Sequence, residues 1–127
     1  MLTILNFSHP ITEAQQARIR ELTGHDDLRV IDIKTHFDND APFGPQLDEL
    51  MARIPLDSRE LQTEPILISP PALNFITAML LAALHGRMGY FPPVVRIRPV
   101  AGSLPPRYEV AEIIDLQALR NAARAQR

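Results

Sequence analysis

Apolar and polar positions along this chain alternate between a strand period and a helix period, and the switches divide it into ten segments. Leu2–Phe7 is a short apolar run of β type, whereas Thr12–Leu22 carries Ala14, Ala17, Ile19 and Leu22 at helical spacing before Gly24 stops it. Leu28–Ile33, "LRVIDI", alternates and is rich in β-branched residues, which predicts a second strand. A polar loop over Lys34–Pro42 leads into a helix with Leu47, Leu50, Met51 and Ile54 on one face, ended by Pro55, and Asp57–Gln62 reads as a further helical turn. Pro65–Ser69, "PILIS", is continuously apolar, as expected of a strand covered on both faces in a parallel sheet. After Pro70–Pro71 the pattern predicts a helix over 72–85, apolar nearly all round and so the most buried. Val94–Arg98 and Tyr108–Ile114 are the last two strands, and Leu116–Arg127 is a terminal helix.

Strands alternating with helices imply βαβ units with right-handed crossovers, hence an α/β fold: one Rossmann-like domain over 1–127 with a mainly parallel sheet flanked by helices. The connection Pro99–Pro106 is too short for a crossover helix, so the fifth strand should return antiparallel and form a C-terminal edge hairpin. With the first strand between the second and third, the strand order reverses beside it, and sheets of this kind bind ligands beyond the carboxyl ends at that point.

Two loops meet there. "LNFSHPIT" brings Asn6, Ser8 and His9 to the end of the first strand, and "SPPALN" brings Ser69, Pro70 and Asn74 to the end of the third, opening a helix whose amino end suits an anion. Arg98, Ser103 and Arg107 should reach the same rim from the hairpin. Each residue has an ordinary role open to it as well: Ser69 as an N-cap, Asn74 as an amide bonded to backbone, Pro70 as a stiffener, Arg98 as the partner of an acid across the hairpin, His9 as a solvated loop residue.

Composition narrows the classes. At 127 residues and 46% hydrophobic, the chain supports one sizeable core. Its apolar run Phe75–Leu84 is far below the roughly 20 residues of a membrane span, and no basic segment precedes a signal-like stretch, so a cytoplasmic setting with no membrane partner is expected. No cysteine is present, which removes thiol chemistry and Cys-ligated zinc. A net charge of −2 argues against a coat for long DNA or RNA. The average hides a division, because acids outnumber bases twelve to six up to Glu64, whereas seven arginines face three acids from Pro65 onward. Guanidinium forks suit phosphate, although an Arg-, Ala- and Pro-rich usage is also what a GC-rich coding sequence produces. Familiar nucleotide, hydrolase and metalloprotease signatures are missing, and His25-Asp26-Asp27 and His36, Asp38 and Asp40 read as solvated acidic turns, so no metal and no cofactor is expected. "LHGRMGYFPP" (84–93) places two helix-ending glycines, Gly86 and Gly89, at the sheet end away from the crevice, with Met88, Tyr90 and Phe91 exposed there as an alternative subunit interface.

The blocks "LNFSHPIT", "ILISPPALNFITAMLLAALHGRMGYFPPVVRIRPV" and "LPPRYEVAEIIDLQALR" resemble those of a small accessory protein family of type III CRISPR antiviral defence, and the similarity spans nearly the whole chain. Its neighbourhood is similar to the CARF-like, Rossmann-like domain that recognises cyclic oligoadenylate. The resemblance implies a homodimer whose two crevices join over one ring, usually cyclic tetra-adenylate, contacted by Asn6, Ser8, His9, Ser69, Pro70, Asn74, Arg98, Ser103 and Arg107. It departs from effector proteins in carrying no output domain. Two activities are then expected of a lone domain: sequestration of the ring as a sponge, which we favour, or metal-independent ring nuclease chemistry by 2′-hydroxyl attack. In the second, His9 is the candidate general acid or base and Arg98 or Arg107 steadies the transition state. A non-enzymatic protein-interaction subunit docking through its hairpin and "GYFPP" is the reading from a different class.

Overall fold

The computed structural model describes residues 1–127. Its centre is β1 (Leu2–Asn6), buried at every position, with β2 (Leu28–Asp32) and β3 (Ile66–Ser69) parallel to it on either side. β4 (Val94–Pro99) continues the parallel set beyond β3, and β5 (Tyr108–Ile114) returns antiparallel, giving the order β2-β1-β3-β4-β5. The α/β class, the switch point at β1 and the edge hairpin are therefore as the pattern predicts.

Side-chain alternation sends each strand's apolar residues to two separate cores. On one face α2 (Phe43–Ala52), α3 (Ser58–Thr63) and α4 (Asn74–Met88) cover Leu5, Phe7, Ile33, Ile66, Ile68 and Val94 in a core of 15 buried residues. On the other, α1 (Glu13–Thr23) contributes Ile19 to a core of only six, with Leu2, Ile4, Leu67, Val95 and Val110. That helix is well delimited. Thr12 and Gln15 form a reciprocal capping box at its start, and Gly24 ends it in the left-handed conformation at φ 74°. The terminal helix α5 (Leu116–Arg124) is capped by Asp115, has no buried residue and adds only Leu116 to the larger core.

Two features of the 84–93 segment differ from the sequence expectation. Gly86 does not stop α4, which runs on to Met88 and ends at Gly89, φ 84°. Met88 is not exposed: it is 3% accessible and closes the buried stripe Ile76, Leu80, Leu84, Met88, one residue every helical turn. With four buried residues against one or none in each of the others, α4 is the most buried helix, as its apolar sequence predicts, although Phe75 is left 71% exposed on the opposite face. Beyond Gly89, the Phe91 ring lies 4.2 Å from the His85 ring.

The proline pair after β3 has a large consequence. Pro70 and Pro71 have no N–H to offer a ladder, so β3 stops at Ser69, and its register with β4 is limited to Ile68 opposite Val94. From Arg96 onward β4 pairs with β5 alone, and the hairpin projects past the sheet. Within it Arg96 faces Glu112 while Ile97 faces Val110, leaving Ala111 as an extra, bulged residue. The bulge reverses the parity of β5, so that Tyr108 and Val110 join Ile113 on the α1 side.

Candidate functional site

The projecting hairpin and the amino end of α1 form two walls of a cleft of about 720 Å³, closed below by the loop after β1, Ser69 at the end of β3 and Val95 of β4. Its position, beyond the carboxyl ends where the strand order reverses, is the one expected for a ligand site in an open α/β sheet. Ser8, His9 and Ser69 line the polar end. Ile11, Gln15 and Arg18 come from the helix wall, and Ile97, Val100, Pro106, Arg107 and Tyr108 from the hairpin wall.

Asn6 lies beneath this surface. It is 1% exposed, and both ends of its carboxamide are bonded: Nδ2 donates to the His9 carbonyl (2.9 Å) and to Asp32 Oδ1 (2.8 Å), and Oδ1 accepts from the Ser8 amide (3.1 Å). With both donors spent and the side chain buried off the cleft surface, Asn6 does not face a ligand; it shapes the Ser8–His9 bend and ties it to the end of β2. Above it, Ser69 is 8% exposed and its hydroxyl makes none of the chain's hydrogen bonds. No side-chain polar atom is sealed from solvent without a partner, so that hydroxyl opens to the cleft it lines. His9 is exposed, with its imidazole free of hydrogen bonds and no carboxylate orienting it.

The arginines divide at the cleft. Arg98 alternates with the cleft-lining Ile97 and pairs with Glu109 (Nε to Oε1, 3.2 Å), as Arg96 pairs with Glu112 at 2.6 Å. Arg98 does not line the cleft, and its guanidinium is paired to Glu109, which reaches the cleft edge, so the structure does not place Arg98 with the expected ligand contacts or in the expected catalytic role. Arg107, at the hairpin's return, does line the cleft, and its guanidinium takes part in none of the chain's three ion pairs. Ser103 builds the turn that presents it: its Oγ donates to the Val100 carbonyl (2.8 Å) and accepts from the Arg107 amide (3.0 Å).

Three further expected contacts lie off the cleft. Pro70 ends β3 and does not line the cavity, Ser103 is spent in the turn, and Asn74 is at the start of α4 with its Oδ1 accepting from the Phe75 amide (2.8 Å). Leu73, not Ser69, holds the N-cap position of α4 and offers no capping side chain. Conversely, the α1 wall was not expected, although Ile11, Ala14, Gln15, Arg18 and Ile19 recur at i, i+3, i+4, i+7 and i+8 and mark one helical face.

The cleft is amphiphilic, with hydroxyls and an imidazole at one end, an unpaired guanidinium at the rim and an apolar and aromatic wall. No group of three or more His, Cys, Asp or Glu side chains is gathered closely enough to hold a metal ion; Asp38 closes its own loop, Oδ1 accepting from the Asp40 amide (2.9 Å). No helix is long and apolar enough to cross a membrane. Comparison with protein-family models, with curated proteins and with solved structures finds no match to this chain.

Proposed function

We propose that the cleft binds a nucleotide phosphodiester, and that its ligand is cyclic oligoadenylate, cyclic tetra-adenylate above all, held by two copies of the chain and thereby withdrawn from type III CRISPR signalling. The observation that carries this reading is the pair of unspent polar groups, Ser69 Oγ and the Arg107 guanidinium, on one cleft at the switch point of the sheet. A hydroxyl and a guanidinium suit phosphate oxygens, and the apolar hairpin wall suits a base. A cavity of about 720 Å³ encloses a drug-sized ligand, and a ring of four nucleotides is larger, which is why the proposal requires two copies.

Sequestration is preferred over cleavage because His9, the one imidazole at the site, lacks a side chain to orient it or to share its proton, and Arg98 is engaged elsewhere. The test mixes the purified chain with radiolabelled cyclic tetra-adenylate in excess EDTA and runs matched native and denaturing gels. Retardation with intact ligand is expected. Ser69→Val and Arg107→Ala should each weaken binding on the order of tenfold or more, as loss of a charge-assisted hydrogen bond does. Conversion to linear product, lost in His9→Ala while binding persists, would mean a ring nuclease. Neither retardation nor conversion would overturn both and leave the protein-interaction reading.

A further inference from the structure

We infer that Tyr108 is the specificity-determining residue of the cleft, the surface on which a nucleobase stacks; this rests on the reading of the cleft as a nucleotide site. Tyr108 and Val110 project to the same side of β5, yet Val110 is 5% exposed and Tyr108 54%. The chain thus carries a large aromatic ring onto the cleft and leaves it uncovered, with no aromatic neighbour stacked on it and no hydrogen bond at its phenol oxygen. Its backbone is nevertheless fixed. Gln15 Nε2 donates to the Tyr108 carbonyl (3.0 Å), and Gln15 Oε1 accepts from the Thr12 amide (3.0 Å), so one carboxamide joins the hairpin wall to the first turn of α1.

An uncovered ring on an anchored stretch of backbone is suited to stacking, because every base has a π-face and a tyrosine has only two side-chain torsions to order. Arg107, the preceding residue, brings its unpaired guanidinium to the same wall, so base and phosphate are taken by neighbouring residues of one turn. Stacking supplies preference for a nucleotide over a bare sugar phosphate, which Ser69 and Arg107 alone would not distinguish.

The chain has no tryptophan and only two tyrosines, so in a Tyr90→Phe background Tyr108 is the sole source of tyrosine emission. That protein is titrated with cyclic tetra-adenylate, with adenosine 5′-monophosphate and with ribose 5-phosphate, emission being corrected for ligand absorbance. Both adenine ligands are expected to quench Tyr108, and ribose 5-phosphate is not. In parallel affinity measurements Tyr108→Phe should retain binding within about twofold, while Tyr108→Leu loses on the order of tenfold for the adenylates only. The inference is overturned if Tyr108→Leu holds the ring as tightly as the parent, or if Tyr108→Phe loses as much as Tyr108→Leu, which would assign the effect to the hydroxyl. If adenosine monophosphate quenches Tyr108 and the ring does not bind, the cyclic ligand is wrong and the stacking role stands. If no adenine ligand binds, both fall.

Discussion

Replacing Asn6 by alanine removes three hydrogen bonds at once, and their partners set the cost. The bonds to the His9 carbonyl and from the Ser8 amide are neutral, worth about 1 kcal/mol each, and the one to the Asp32 carboxylate is charge-assisted, about 1.5–3 kcal/mol. The gross loss is therefore roughly 3.5–5 kcal/mol. His9 and Asp32 are exposed and Ser8 is half-buried, so water replaces part of what they lose, and a net cost of about 2–3 kcal/mol is expected. A domain of this size with the usual 5–15 kcal/mol of stability stays folded, its Tm falling by roughly 10 °C. Urea unfolding measures the free energy, and a double-mutant cycle with Asp32→Ala isolates the Asn6–Asp32 coupling, expected at about 1.5–3 kcal/mol. Asn6→Asp sharpens the test. It keeps the acceptor for Ser8, loses both donors and sets a second carboxylate against Asp32, so at neutral pH it should be the less stable variant and recover part of the loss in acid, when one carboxyl is protonated. A cost below about 1 kcal/mol for Asn6→Ala, or an Asn6→Asp variant indifferent to acid, would refute the assignment of Asn6 as the tie between the first loop and β2.

Other outcomes follow from single features. Arg98→Ala should leave adenylate affinity unchanged by gel retardation and cost less than about 1 kcal/mol of stability, since its pair with Glu109 is half-exposed, in contrast to Arg107→Ala. Burial raises the Tyr90 phenol above its ordinary value of 10.0, so the folded state holds that proton more tightly than the unfolded chain. Stability should consequently be intact below about pH 10, fall as pH rises beyond it, and fall less in Tyr90→Phe when melts are followed through the alkaline range. The two glycines near the end of α4 should respond oppositely in thermal melts. Gly86, inside the helix with open space around its Cα, should gain up to about 1 kcal/mol on replacement by alanine, whereas Gly89, at φ 84°, should lose about 1 kcal/mol.

Strand order was legible because it depends on features that local patterning carries: the doubly covered run "PILIS" had to be internal, and a connection as short as Pro99–Pro106 forced a hairpin. The site was legible only as a place. Ser8, His9, Ser69 and Arg107 do meet on one cleft. Asn6 belongs to that corner but not to its surface, since nothing in "LNFSHPIT" reveals that Asp32, far along the chain, waits beside its amide. Arg98 illustrates a different limit: it reaches the hairpin as expected, but which face of a projecting hairpin looks onto a cleft depends on where the covering helix sits. Tyr108 was hidden by the bulge at Ala111. Strict alternation back from Ile113 assigns it to the far face, and one unpaired residue returns it to the cleft.

The asymmetry between the two cores bears on how the molecule moves. Both cleft walls, α1 and the outer hairpin, rest on the six-residue core alone, whereas β1 and β3 are packed by both cores and the helices of the other face by the larger one. Openings that stop short of global unfolding should therefore release α1 and the tip of β4–β5 first, and their amides should exchange with solvent while those of β1 and β3 stay protected. A ligand that touches both walls holds closed the part of the fold that opens most readily. Its binding energy then appears as slowed exchange in these two elements, and the map of slowed amides would report on ligand and wall together without any substitution in the protein.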